Sequence, residues 1–99
     1  MYEIRFARGV AKDLARLTAY YRRMVLAAIA VQLSVQPTVP TRNRKLLVNM
    51  LPRWGPDSRI WELRVGEYRI FYDVDEAERT LYVRAIRRKP PGKTTEEIL

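Results

Sequence analysis

Residues 59–75 read RIWELRVGEYRIFYDVD, and the pattern restarts once, at Gly66-Glu67. Before that dipeptide Trp61, Leu63 and Val65 alternate with Ile60, Glu62 and Arg64. After it Tyr68, Ile70, Tyr72 and Val74 alternate with Arg69, Phe71 and Asp73. Period-two alternation, rich in aromatic and β-branched residues around a glycine, predicts a β-hairpin. Glycine in the first loop position suits a two-residue type II′ turn. That turn sets Val65 opposite Tyr68, Leu63 opposite Ile70 and Trp61 opposite Tyr72. The resulting apolar face needs a second layer to cover it. The other face holds Glu62, Arg64, Arg69, Phe71 and Asp73, with Arg64 directly across from Arg69. Like charges opposed on paired strands destabilise the pair. Two arginines kept there point to an anion between them, and to phosphate as that anion.

On the C-terminal side, residues 80–88 predict a third strand of the same meander. Pairing Ile70 with Ala85 puts Phe71 opposite Arg84 and Arg69 opposite Ile86. Leu81, Val83 and Ala85 then continue the core face; Tyr82, Arg84, Ile86 and Arg88 continue the other. The open face gathers Arg64, Arg69, Arg84 and Arg88 around Phe71 and Tyr82. Guanidinium groups hold phosphate bidentately, and aromatic rings stack on bases. Together they suit single-stranded RNA. The same aromatics would also serve as strand formers over a second small core. Pro90-Pro91-Gly92 stops the strand. Thr94 followed by Glu97 has the form of a capping box, so a short C-terminal helix is expected.

On the N-terminal side, residues 2–6 read as a short strand that Gly9 breaks. Val10, Leu14 and Leu17 recur at helical spacing, giving a helix of roughly two turns. Thr18-Ala19 links it to a second helix over about 20–35. That helix is apolar at Tyr21, Met24, Val25, Ala28, Ile29, Val31, Leu33 and Val35. So wide an arc implies burial on more than one side. It packs on the first helix and the sheet together, or part of it meets a partner chain. Pro37 and Pro40 end it. Periodicity then fades over residues 37–56, which carry Arg42, Arg44 and Lys45 close together. A long irregular loop of this kind is often functional, and its basic cluster is otherwise a solvated loop.

Ninety-nine residues make one domain, residues 1–99. Apolar residues are 47% of the chain, enough for a packed core. Cysteine and histidine are both absent, which removes disulfides, thiol chemistry and the commonest general base and metal ligand. Only scattered carboxylates remain, so neither a metal site nor any other cofactor is expected. The net charge of +8 calls for a polyanion, an acidic protein or anionic lipid as partner. The segment MYEIRFARG has no apolar signal region, and no run approaches membrane-spanning length. A cytoplasmic location without a membrane partner is expected.

The succession FARGVAKDLARL, a long helix, RNRKLL, WELRVGEYRIFYDVD and LYVRAIRRK resembles the RelE/ParE toxin superfamily. The resemblance covers nearly the whole chain, and residues 63–72 are its most specific part. It implies an α+β, RelE-like fold: an N-terminal strand, a helical hairpin, then a three-stranded antiparallel meander packed on the helices. It also implies a toxin made with an acidic antitoxin that neutralises it. RelE-like members cut messenger RNA on the ribosome without a metal, whereas ParE-like members poison DNA gyrase. A non-catalytic antitoxin-binding relative would use the same basic face.

Carried across by position, the resemblance places the phosphate-gripping arginine at Arg69, with Arg64 as its orienting neighbour. The basic residue just past the last strand falls on Lys89, with Arg88 beside it. Arg42, Arg44, Lys45 and Lys93 supply charge from flanking loops. Three positions depart from RelE. Ile60 and Glu62 stand where it has lysines, and Thr95 is nearest to its C-terminal tyrosine. Glu62 is then a candidate base, and Tyr68, Tyr72, Tyr82 or Lys89 the candidate acid.

Overall fold

The computed structural model describes residues 1–47 and 59–98. Its elements are β1 (Glu3–Phe6), α1 (Val10–Ala15), α2 (Ala19–Leu33), β2 (Arg44–Leu46), β3 (Trp61–Val65), β4 (Tyr68–Asp75), β5 (Thr80–Arg88) and α3 (Thr95–Ile98). The five strands form one sheet in the order β1-β5-β4-β3-β2. β1 runs parallel to β5, and the other pairs are antiparallel. The result is the expected α+β architecture.

The hairpin has the predicted register, including Arg64 opposite Arg69. Gly66 takes φ +58° while Glu67 stays out of the positive-φ region, as a glycine-first type II′ turn requires. At the other end of the chain the capping box forms as expected. The Thr94 N–H donates to the Glu97 carboxylate at 2.9 Å, and the Glu97 N–H donates back to the Thr94 hydroxyl at 3.3 Å.

The third strand departs from the alternating pattern. A bulge between Phe71 and Tyr72 leaves Arg84 as an extra residue on β5, so Phe71 pairs with Ala85 and Tyr72 with Val83. Ile70 therefore faces Ile86, not Ala85, and Arg69 faces Arg87, not Ile86. A bulge reverses which face each later residue takes. Leu81 and Val83 join the main core as expected, but Ile86 replaces Ala85 there. The larger side chain takes the larger core, and Ala85 turns to the opposite face beside Phe71 and Ile60.

The main core lies between the helices and one face of the sheet. Val25, Ile29 and Leu33 form a single buried stripe on α2, spaced by four, and Val10 joins them from α1. They meet Trp61, Leu63, Ile70 and Tyr72. The helix ends at Leu33, short of the expected residue 35, and its wide apolar arc is only partly used: Val31 is 76% exposed, and Val35, past the helix end, 60%. Tyr72 is fully buried, stacks against Trp61 and donates its hydroxyl to the Pro37 carbonyl at 2.5 Å. Burial raises its phenol above the ordinary range.

The basic stretch after Pro40 is not wholly irregular. Residues 44–46 form the edge strand β2, which pairs with β3. The rest of the expected loop, residues 48–56, falls outside the described residues. No helix among the described residues is long and apolar enough to cross a membrane.

Candidate phosphate-binding site

The sheet face away from α1 and α2 was expected to be open, and it is not. Phe71 is fully buried there, packed with Ile60 and Ala85 under Leu47 and Ile98. It is a core residue and has no free face for a base. Its burial follows from the chain reversing after Lys89: the capping box starts α3, which lays Ile98 on this face.

Glu62 is buried beside the same cluster and accepts a hydrogen bond from the buried Thr95 hydroxyl at 2.9 Å. Its other oxygen lies 3.6 Å from the Lys45 ammonium. Glu62 and Thr95 thus bind each other and fasten α3 to the sheet. Thr95→Val keeps the side-chain shape and deletes the donor. A buried carboxylate oxygen left unpaired costs about 1–3 kcal/mol, which urea denaturation should show as a loss that Thr95→Ser restores. Unchanged stability would mean that this bond does not anchor α3. Glu97 adds a pH-dependent part. Its carboxyl is held below its usual range first by the Thr94 N–H, then by the Thr94 hydroxyl and by Lys93. Because the folded value is lowered, this support is present at neutral pH and is lost as the pH falls through the carboxylate range.

Several expected RNA-binding arginines are engaged within the fold. Arg44 donates to the Gln32 and Gln36 carbonyls, each at 2.6 Å, and so caps the end of α2. Arg84 pairs with Asp73 at 2.7 Å and lies over the Tyr82 ring. Arg88 sits on the face expected for Tyr68, its register partner, and pairs with Glu67 at 3.0 Å. The bulge explains both placements, because it moves Arg84 out of the ladder and reverses Arg88. The expected ring of four arginines around Phe71 and Tyr82 does not form.

Arg69 behaves differently. It is 7% exposed, and its Nη1 donates to the Gly66 and Tyr68 carbonyls at 2.8 and 3.0 Å. Its buried Nε has no hydrogen-bond partner, and no salt bridge reaches the guanidinium among the described residues. Burial, and then the charge of Arg64, lower its pKa from the usual arginine value, while Glu62 acts in the other direction. A buried cation without a direct salt bridge is costly to hold. It lines a cleft of about 230 Å³ with Gly66, Glu67, Lys89 and Lys93, closed by Pro90, Pro91 and Gly92. The Lys89 N–H donates to the Glu67 carbonyl at 2.6 Å and joins the two walls. Three cations that the sequence singled out, Arg69, Lys89 and Lys93, thus share one concave site. The sequence reading missed Glu67, which nothing but its place in the turn would have marked.

Arg64, Arg42, Arg44 and Lys45 line a separate cleft of about 110 Å³ together with Glu62. Arg64 and Arg69 are register partners, yet they open into different clefts. No three His, Cys, Asp or Glu residues cluster as metal ligands among the described residues.

The family model for the ParE toxin of type II toxin-antitoxin systems matches residues 4–89. The chain belongs to the RelE/ParE toxin superfamily. Solved toxins of this superfamily share its fold. The toxin–antitoxin complex RelBE2 of Mycobacterium tuberculosis matches with a TM-score of 0.70 at 23% identity, covering 89% of this chain and 98% of that one. The archaeal RelE–RelB complex of Pyrococcus horikoshii gives 0.69 at 21% identity, covering 94% and 98%. The isolated E. coli RelE toxin gives 0.65 at 22% identity, covering 98% and 94%. No curated protein matches the sequence. The chain is thus a type II toxin whose superfamily fold carries a buried arginine, without a salt bridge among the described residues, at the end of its central hairpin.

Proposed function

We propose that this toxin stops translation by metal-free cleavage of messenger RNA on the ribosome, gripping an RNA phosphate at Arg69. The observation that supports this reading is the guanidinium itself: buried, without a salt bridge among the described residues, its Nε unpaired there, in a cleft shared with Lys89 and Lys93. A phosphodiester supplies the charge and the acceptor oxygens that the protein withholds. Arg69 would clamp the charge that develops on the phosphate, and Lys89 is the nearest candidate to protonate the leaving oxygen. Arg42, Lys45, Lys93 and Arg64 then act as flanking charge for the RNA. The toxin's partner is an acidic cognate antitoxin, in keeping with the charge of +8 and with the RelB-bound relatives.

A gyrase-directed toxin is the second reading, and a specific observation favours it. Ile60 and Glu62, which the resemblance sets at RelE's lysine positions, and Thr95, nearest to its tyrosine, are packed or hydrogen-bonded inside the fold. Induced expression without antitoxin, followed by separate labelling of new protein and new DNA, separates the two. Protein synthesis should fall within minutes while DNA synthesis continues. Loss of negative supercoiling ahead of any fall in translation would establish gyrase as the target instead.

A further inference from the structure

We propose that two copies of this toxin, free of antitoxin, join edge to edge through β1, their first strands pairing antiparallel into one continuous sheet. The inference goes beyond the RNA-cleaving reading and does not depend on it. β1 closes one side of the sheet, with β5 as its single strand partner among the described residues. Main-chain groups point to alternate sides along a strand. The N–H groups of Glu3 and Ala7 donate to the Arg79 and Val83 carbonyls, so the main chains of Glu3 and Arg5 face β5. Those of Ile4 and Phe6 therefore face outward. A row of such groups is a template for another strand. β1 is short, but it holds no proline, lysine or bulge, devices that commonly blunt an edge.

The edge is complementary to its own copy. Residues 2–6 read YEIRF: aromatic, acid, isoleucine, base, aromatic. A two-fold axis at Ile4 sets Ile4 against Ile4 and each Tyr2 against Phe6 of the other copy. It also sets each Glu3 against Arg5 of the other copy. Moving the axis by one residue opposes Glu3 to Glu3 or Arg5 to Arg5, and like charges directly opposite destabilise a pair. Ile4 packs toward the main core, so Glu3 and Arg5 lie on the other face, where they are 60% and 59% exposed. In the paired strands they take the non-hydrogen-bonded positions, where side chains approach most closely. Each Ile4 N–H donates to the Ile4 carbonyl opposite, and each Phe6 N–H to the Tyr2 carbonyl opposite.

Apolar surface borders the same edge. Phe6, Val31 and Val35 are exposed. The Tyr2 N–H donates to the Ser34 carbonyl at 2.7 Å, which brings the end of α2 to the start of β1. Val31 is one turn back from Ser34 and Val35 follows it, so both extend the contact beyond the strands. β1 meets β5 at Thr80–Val83, away from Arg87, the register partner of Arg69, so the phosphate cleft stays clear of the contact.

Sedimentation equilibrium over a range of concentrations, on toxin freed of its antitoxin, tests the pairing. The native chain should associate to twice its own mass. Glu3→Arg and Arg5→Glu each place like charges opposite at both symmetric positions, and each should raise the dissociation constant by about tenfold or more. Mixed in equal amounts, the two variants should recover near-native association, because one now carries two bases and the other two acids. Recovery on mixing cannot arise within one chain. A native chain that stays monomeric at every concentration would overturn the proposal. So would single variants that associate like the native chain, or a mixture that gains nothing. A monomeric native chain whose two variants lose binding to the antitoxin would overturn it too and give the edge to the antitoxin.

Discussion

Arg69→Met should abolish toxicity in a protein that melts no lower than the native chain. The two halves of this result have separate causes. In the fold Arg69 is a buried cation with an unpaired Nε, faced by Arg64 in register. Methionine removes the charge, the orphaned donor and the like-charge opposition while filling similar space. Lost with them are two hydrogen bonds to the Gly66 and Tyr68 carbonyls, worth roughly 0.5–1.5 kcal/mol each. The relief offsets that loss, so thermal melting should stay level or rise. In the site the same change deletes the clamp on developing phosphate charge. Comparable electrostatic donors contribute about 3–4 kcal/mol, or 10²–10³ in rate. Growth after induction should therefore recover almost fully. Arg64→Ala should have a smaller effect, because Arg64 opens into the neighbouring cleft. Arg16→Ala on the exposed end of α1 is the control and should change neither reading. Full toxicity in a folded Arg69→Met variant would remove this residue from the site.

Phe71→Ala should cost about 3–5 kcal/mol, the range for deleting a buried aromatic side chain. That is a large part of the stability of a domain this small. The ring is fully buried with Ile60 and Ala85 and is covered by Ile98 and Leu47. The small cluster beneath α3 has few other large side chains with which to close the cavity. Chemical denaturation should show a midpoint far below that of the native chain, and toxicity should fall with the folded fraction. Phe71→Leu keeps most of the apolar volume and should retain both folding and toxicity. A Phe71→Ala protein of native stability that fails only in RNA binding would show instead that the ring stacks on a base.

The sequence alone determined the hairpin, because alternation and a glycine-first turn are local properties. Val65, Leu63 and Trp61 pair as read, and Arg64 meets Arg69. It also determined the long helix, though not that only Val25, Ile29 and Leu33 of its wide apolar arc are buried, and the capping box of Thr94 and Glu97, set by spacing within a few residues. The superfamily was legible for the same reason, since its most specific segment is that hairpin.

Tertiary structure decided what covers the second face of the sheet. Ala85-Ile86 is apolar at both positions, so the pattern fits either register, and only packing shows that Ile86 takes the main core past a bulge at Arg84. The three-residue strand at Arg44 is too short to show a period and exists because β3 offers an edge to pair with. Arg44 itself reads as solvent-facing charge until α2 presents its carbonyls. Glu62 and Thr95 are far apart in the chain, and no local rule brings them together. The site follows from the same cause: Arg69 was visible as a charge, but its lack of a partner depends on which carboxylates the fold draws elsewhere. Asp73 goes to Arg84, Asp13 to Arg87 and Glu62 to Thr95, and among the described residues no carboxylate forms a salt bridge with Arg69.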